Sequence, residues 1–128
     1  LTGRVGANCL PELVEINFGI EYYKMIAAMA VGENPLEYWG KRNSKTTAGL
    51  ARMILSTEES GTLEDIKYTG EMDEDILEIT FFKKTGDQIR KFVFSADCIG
   101  QIIVKGSTLD ECRAKINKIM SNIEIKLK

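Results

Sequence analysis

The sequence has 128 residues, a formal net charge of −2, 44% hydrophobic residues and 28% charged residues. These values are ordinary for a single globular domain, and the slightly acidic balance argues against nucleic acid as the main partner. The chain contains no histidine, which excludes Ser–His and Cys–His catalytic pairs and any histidine-ligated metal within it. The longest apolar run, Met25–Val31, is too short to cross a membrane.

The three cysteines are Cys9, Cys98 and Cys112. Their number is odd, and they lack the CxxC spacing of a metal or redox motif, so we predict reduced thiols in an intracellular protein. Cys112 lies on a predicted apolar helix stripe and is expected to be inert. Cys9 precedes a helix start, which could lower its pKa, but the absence of a histidine base favours a structural role.

Two helices are predicted near the N-terminus. Pro11–Asn17 begins with a proline suited to a first helical turn. Ile20–Val31 has only Glu21 and Lys24 as polar side chains and ends at Gly32. A helix that is apolar almost all round is buried on most sides, so the sequence predicts that the rest of the chain covers this second helix.

Beyond Ala48 the pattern is typical of strands. In Asp75–Lys83, three apolar residues alternate with polar ones and are predicted to share one face: Leu77, Ile79 and Phe81. A turn at Lys84–Asp87 predicts a hairpin with Ile89–Phe94. The segment Thr62–Tyr68 fits either a strand or a short helix. Three further strands are predicted at Leu50–Leu55, Ile99–Lys105 and Ile123–Leu127.

A third helix is predicted at Leu109–Ser121. Thr108 and Glu111 fit a capping box at its start. Its apolar stripe consists of Leu109, Cys112, Ile116 and Ile119. Together the elements predict an α+β fold, a mostly antiparallel sheet with packed helices, with a subdomain boundary near residues 46–50.

Arg4 is the first candidate for chemistry. A guanidinium recognises phosphate or carboxylate in a planar, bidentate way. The glycine-containing loop that follows it could add backbone N–H donors aimed at an oxyanion. The residues alone nevertheless favour a surface arginine in a salt bridge.

Two other motifs have simpler explanations. Gly3–Gly6 matches the GxxG of a KH domain, but no helix precedes it and the chain is not basic. The acidic run Glu71–Asp75 contains carboxylates that a hard cation prefers. It lacks the spacing and central glycine of an EF-hand, which favours a solvated loop between strands.

Several runs together resemble a known family. They are GRVGAN at residues 3–8, LPELV at 10–14, FGIE at 18–21, AVGENP at 30–35 and SADCIG at 95–100, followed by GST at 106–108 and the helix after it. In this order they resemble the C-terminal portion of the ATP-grasp superfamily. The resemblance is to the carboxylate–amine ligases related to biotin carboxylase and phosphoribosylglycinamide synthetase. The family often has three glycines where this chain has Gly6-Ala7-Asn8.

The resemblance implies a reaction and a set of site residues. Such ligases use ATP to activate a carboxylate as an acyl phosphate, which an amine or thiol then attacks. Arg4 occupies the position of the strand arginine that contacts the transferring phosphate, and it is expected to be catalytic and substrate-binding. The loop Gly6, Ala7 and Asn8 is expected to present backbone amides to the substrate carboxyl group.

The resemblance also implies what the chain lacks. The family places its metal-binding glutamate just before Leu1, and its nucleotide-binding lysines and phosphate-covering loop further upstream. ATP and Mg2+ are therefore expected in the parent enzyme and not on this chain alone. Residues 1–47 are expected to end the ATP-grasp core, and residues 48–128 to form a C-terminal α+β lid subdomain. The chain is expected to be a fragment that is inactive by itself.

The expected partners are the upstream ATP-grasp domain of the same protein and small-molecule carboxylate and amine substrates. A homodimer is left open. The expected location is cytoplasmic, with neither nucleic acid nor membrane as a partner. The alternative is a non-catalytic α+β binding or assembly module whose open sheet edge pairs with another protein.

Overall fold

The computed structural model describes residues 6–39, 47–56 and 60–128. The elements within these ranges are α1 (Leu10–Phe18), α2 (Tyr22–Val31), a 3₁₀ turn (Pro35–Tyr38), β1 (Ala48–Ile54), β2 (Gly61–Tyr68), β3 (Ile76–Phe81), β4 (Gln88–Ile89), a second 3₁₀ turn (Ser95–Asp97), β5 (Gly100–Gly106), α3 (Leu109–Ser121) and β6 (Ile123–Leu127). The segment Thr62–Tyr68, whose sequence fits either a strand or a short helix, forms part of the strand β2.

The strands form two antiparallel sheets of three strands each. In one sheet β5 lies between β1 and β3, and in the other β2 lies between β4 and β6. Ala48 of β1 pairs with Gly106 of β5, and Tyr68 of β2 pairs with Ile123 of β6. The predicted α+β fold class is confirmed.

The predicted hairpin is wrong. The turn forms, since Asp87 N–H donates to Lys84 O over 3.0 Å and Gly86 has a φ of 95°. However, β3 pairs with β5, and the short β4 pairs with β2, where Ile89 lies opposite Gly61. The turn thus carries the chain from one sheet to the other.

A buried carboxylate binds the backbone of the segment after β4. Asp97 Oδ2 accepts hydrogen bonds from the N–H groups of Val93 (3.1 Å) and Phe94 (3.2 Å), and Oδ1 accepts one from Arg90 Nε. Burial by itself would raise the pKa of the Asp97 carboxyl, but these donors outweigh it and hold the pKa below its usual value. The N–H groups held in this way are not available for a strand ladder.

A β-bulge in β3 changes which residues face the core. The register between β3 and β5 shifts between Ile76 and Glu78. The extra residue, Leu77, is 46% exposed, whereas Ile76 is 7% exposed. The predicted apolar face therefore holds for Ile79 and Phe81, which pack against the core, and is wrong for Leu77 because a bulge interrupts the two-residue alternation.

The core lies between the sheets and α3. Its buried members are mostly isoleucines: Ile54, Leu63, Ile76, Ile89, Ile99, Ile102, Val104, Cys112, Ile116 and Ile119. The start of α3 follows the prediction, since Thr108 Oγ1 accepts from Glu111 N–H over 3.2 Å. In a standard capping box the glutamate would accept from the N–H of the N-cap residue itself, Thr108. Here Glu111 Oε2 accepts from the N–H of the preceding residue, Ser107, over 2.8 Å. Leu109, predicted on the buried stripe, is 49% exposed.

The helix α2 contradicts the prediction that it is buried. Only Ala28 is buried in it, while Tyr23, Met29 and Val31 are 52%, 64% and 72% exposed. The reason is that α2 packs mainly on α1 and on the 3₁₀ turn Pro35–Tyr38, which cover one side of a helix that is apolar all round. Within the described ranges, every helix is too short or too polar to cross a membrane.

Candidate functional site

The candidate substrate loop, Gly6–Cys9, leads directly into α1. Ala7 and Asn8 are exposed and Cys9 is buried. Asn8 and Cys9 both adopt left-handed backbone conformations, with φ of 60° and 62°. Arg4, the predicted catalytic residue, lies outside the described residues.

The loop passes close to the helix that it precedes. A methyl group at Gly6 would lie 2.3 Å from Leu10 Cδ2 and 3.1 Å from Leu10 Cβ. Cys9 is the N-cap of α1 and makes no side-chain hydrogen bond to the first turn. The partial positive charge of the helix N-terminus therefore lies beside the exposed loop residues.

The side chain of Cys9 joins the loop to three side chains of the sheet that contains β1, β5 and β3. We call these four residues the loop-anchoring network: Cys9, Gln101, Glu78 and Thr80. The Cys9 thiol donates to Gln101 Oε1 over 3.1 Å. Gln101 Nε2 donates to Glu78 Oε1 over 2.7 Å, and the Thr80 hydroxyl donates to the same oxygen over 2.6 Å. The position of Cys9 is thus tied to both β5 and β3.

A second polar contact joins α1 to α2. The Tyr23 hydroxyl donates to Glu12 Oε1 over 2.7 Å. This hydrogen bond, together with desolvation and the negative charge of Glu12, raises the pKa of Tyr23 to about 12. The other carboxylate oxygen, Glu12 Oε2, is buried without a hydrogen-bond partner.

All three cysteines are free and buried. Burial, followed by the charges of Glu12 and Glu78, raises the pKa of Cys9. Burial likewise raises the pKa of Cys112, with a contribution from Glu111. Both thiols therefore stay protonated at neutral pH, which fits the structural roles predicted for them and not a nucleophile.

The acidic run at Glu71–Asp75 is more than a solvated loop. Lys115 Nζ of α3 lies 2.9 Å and 3.0 Å from the two carboxylate oxygens of Asp73 and 2.9 Å from Asp75 Oδ2. The hydrogen bonds from Lys115 lower the pKa of Asp73. Across the described ranges, no group of three or more histidine, cysteine or acidic residues is placed to hold a metal ion.

An apolar groove lies on the other side of α1. It is lined by Val14, Phe18, Ile20, Tyr22, Met25 and Trp39. Phe18 is 52% exposed and Trp39 is 54% exposed. Residues 6–39 therefore expose apolar side chains both in this groove and on α2.

Sequence reasoning missed the residues of the network other than Cys9. The sequence pattern places Gln101 only within an apolar strand, and Glu78 only on the polar face of another. A signal was nevertheless present, because an amide side chain inside the run Ile99–Val104 needs hydrogen-bond partners when it is buried.

Comparisons with known proteins give consistent matches. A family model described as L-amino acid ligase C-terminal domain 2 matches residues 53–128. The crystal structure of phosphoribosylglycinamide synthetase from Anaerococcus prevotii is 62% identical, with a TM-score of 0.94, covering 99% of this chain and 32% of that chain. The crystal structure of L-amino acid ligase from Bacillus licheniformis is 20% identical in sequence, with a TM-score of 0.75. The match covers 98% of this chain and 31% of the ligase chain. No curated protein matches the sequence.

The coverage limits what each match says. The chain spans about a third of the length of either solved structure. The family match begins at residue 53, so it does not include the candidate loop. The 20% identical structure supports the fold alone.

Proposed function

The chain belongs to the L-amino acid ligase C-terminal domain 2 family, and we propose that it is the C-terminal part of an ATP-dependent ligase that joins a carboxylate to an amine or a thiol. The resemblance to ATP-grasp carboxylate–amine ligases is confirmed by the family match and the similar structures. The observation that carries the proposal is the 62% identity with phosphoribosylglycinamide synthetase over 99% of this chain. In the proposed reaction, phosphoryl transfer activates the carboxylate and the nucleophile displaces the phosphate.

We propose a division into residues 1–47, which end the ATP-grasp core, and residues 48–128, which form the C-terminal lid subdomain. Two features support it. Both sheets and α3 lie in residues 48–128 and share one core. The helices of residues 6–39 reach that region mainly through α1 and β1, where Asn17 Oδ1 accepts from Gly49 N–H over 3.1 Å.

The proposed site is the loop and the arginine before it. Gly6, Ala7 and Asn8 would bind the substrate carboxylate through backbone N–H groups, and Arg4 would neutralise charge on the transferring phosphate. The exposure of Ala7 and Asn8 and the helix N-terminus behind them support an anion at this place. The protonated Cys9 adds no negative charge there.

ATP and Mg2+ are proposed for the parent enzyme. The resemblance to the ligase family places the metal-binding glutamate and the nucleotide-binding lysines before Leu1. We therefore assign nucleotide and metal to the upstream part of the protein, and the chain alone is expected to be inactive.

The main proposed partner is the upstream ATP-grasp domain of the same polypeptide. The apolar groove beside α1 and the exposed apolar side chains of α2 support it, because large exposed apolar patches often mark interfaces. The substrates are proposed to be a small carboxylate and a small amine, and a homodimer is left open. The free thiols are consistent with the proposed cytoplasmic location.

The test compares the full-length protein with this chain alone. We expect ATP-dependent phosphate release from the full-length protein when a suitable carboxylate and amine are both present, and none from the isolated chain. Arg4→Ala should lower the rate about a hundredfold, as when one charge-stabilising donor is removed from an active site, and should leave the melting temperature unchanged.

The matched control is Arg113→Ala. Arg113 is exposed, and in the described part of the chain its ion pair is with Asp110, one turn earlier in α3. Its rate should equal that of the wild type. Phosphate release by the isolated chain would contradict the fragment hypothesis. A full-length protein that releases no phosphate with any carboxylate and amine pair would favour the non-catalytic module.

A further inference from the structure

We propose that Gln101 is a positioning residue for the candidate substrate loop, acting through Cys9. The inference rests on the proposed function, because it assigns the loop to the carboxylate substrate. Gln101 lies on β5, and the hydrogen bond by which it reaches the loop is the one to Cys9. Its amide connects the Cys9 thiol, 3.1 Å away, to the Glu78 carboxylate, 2.7 Å away.

The hydrogen-bond chemistry allows only one orientation of this amide. An ionised carboxylate can only accept, so Glu78 must face the NH2 group of Gln101. The carbonyl oxygen then points to Cys9, whose thiol is the donor. The raised pKa of Cys9 keeps the thiol proton in place at neutral pH. Glu78 is itself fixed by Thr80, whose hydroxyl donates to the same oxygen over 2.6 Å.

Gln101 is half-buried within an otherwise apolar strand. It stands in β5 beside Gly100 and directly before Ile102, Ile103 and Val104, all of which are buried. Across the sheet it lies between Met53 of β1 and Thr80 of β3. The amide therefore keeps its polar groups satisfied through Cys9 and Glu78.

The role that we infer lies at the other end of the hydrogen bond. Cys9 has a left-handed backbone. Asparagine, as at Asn8, adopts this conformation readily, but a cysteine seldom does, and it persists there when surrounding contacts enforce it. The backbone at Cys9 sets the direction in which Gly6–Asn8 leave α1. Holding the Cys9 side chain therefore holds the N–H groups that are proposed to bind the carboxylate.

The experiment uses three variants of the full-length protein. Gln101→Leu removes both hydrogen bonds at nearly constant size. Gln101→Glu keeps an acceptor for Cys9 but places a carboxylate against Glu78. The double variant Gln101→Glu, Glu78→Gln exchanges the donor and the acceptor. The amide introduced at position 78 then donates one N–H to the carboxylate introduced at position 101, which also accepts from the Cys9 thiol. Its second N–H can donate to the Thr80 oxygen, so the contact with Thr80 is kept with donor and acceptor exchanged.

We expect Gln101→Leu to raise KM for the carboxylate about tenfold, as small misplacements of binding groups commonly do, with KM for ATP unchanged. Gln101→Glu should raise KM for the carboxylate by a similar factor at pH 8 and by a smaller factor at pH 5. At the lower pH the introduced carboxyl group, once protonated, can again donate to Glu78. The double variant should return KM towards the wild-type value at both pH values. A residue that serves packing alone would give neither the selective KM change nor the recovery.

A second readout does not depend on activity. In the same proteins, the alkylation rate of Cys9 by iodoacetamide is measured by peptide mass spectrometry. We expect faster alkylation in Gln101→Leu, which leaves the Cys9 thiol without its acceptor, and no acceleration in the double variant, whose carboxylate at position 101 still accepts from the thiol. The control is Gln88→Leu, an exposed glutamine that donates to Thr62 Oγ1 over 2.8 Å and should change neither readout.

The outcomes separate the two proposals. Unchanged Cys9 alkylation in Gln101→Leu would overturn the anchoring of the loop, whether or not the protein is a ligase. Faster alkylation with an unchanged KM for the carboxylate would overturn the positioning role. A wild-type protein without ligase activity would refute the proposed function, and the alkylation rates would still decide whether Gln101 holds Cys9.

Discussion

The two parts of the molecule use apolar residues in opposite ways. In residues 48–128, most of the branched side chains of both sheets and α3 are buried in one core. In residues 6–39, the most apolar helix of the described chain, α2, buries only Ala28 and exposes Met29 and Val31. The comparison teaches that apolar content predicts a need for burial, whereas the neighbours of a segment decide whether that need is met within the chain.

The largest expected effect contrasts one large side chain from each region. Ile102 is 0% exposed and Met29 is 64% exposed. Ile102→Ala should lower the free energy of unfolding by about 3 kcal/mol, because it leaves a cavity in a packed core. Met29→Ala should change it by less than about 0.5 kcal/mol. Denaturant unfolding of both variants measures the difference, and similar losses would mean that α2 is covered by other parts of this chain.

A pair of glycines sharpens the contrast at smaller magnitude. A methyl group at Gly100 of β5 would lie 2.2 Å from Thr80 O, whereas one at Gly32, which ends α2, would meet nothing within 4 Å. Gly100→Ala should cost about 2 kcal/mol through overpacking. Gly32→Ala should cost about 1 kcal/mol, because its φ of 79° is unfavourable for a side chain. Thermal unfolding of both variants measures the two losses of stability. Equal losses, or a larger loss for Gly32→Ala, would contradict the contrast between the packed sheet and the exposed end of α2.

The smallest expected effect concerns the contact between α1 and α2. Tyr23 should titrate at about pH 12 in the folded protein, against an ordinary value of 10.0. Because the folded state holds this proton more tightly, the contribution of the bond to stability is fully present below pH 10 and is lost as the pH rises through about 12. The titration is read as the difference in ultraviolet absorbance between the wild type and Tyr23→Phe.

Glu12→Gln is the control for that titration. It removes the charge that the Tyr23 hydroxyl faces, so the pKa of Tyr23 should fall towards its ordinary value. A difference titration centred near pH 10 in the wild type would show that α1 and α2 are not held together as described. The exposed region would then lack a fixed arrangement of its own.

The sequence predicted what depends on local signals. The ends of α1 and α2 at Gly19 and Gly32 are set by glycines with positive φ, and the N-cap at Thr108 is set by its own hydroxyl. These features need only residues that are close in sequence. The α+β class was predictable for the same reason, since alternation and helical stripes are local patterns.

The errors arose where distant residues decide the structure. The bulge at Leu77 depends on the partner strand β5, and so does the loss of the predicted hairpin, because β3 pairs with β5 and not with β4. The exposure of α2 depends on which elements reach it. The candidate site shows the same limit, because the connection from Cys9 through Gln101 joins residues 92 positions apart.

The strand order has a consequence for how the chain folds. In the described part of the chain, no strand pairs with the strand next to it in sequence. The nearest ladder partners are Phe81 and Gly100, 19 positions apart, and Leu63 and Leu127 are 64 positions apart. Large loops must close before any ladder forms, so we expect folding in roughly milliseconds to seconds instead of microseconds. During synthesis, β1 and β3 must wait for β5 to leave the ribosome before either gains a partner.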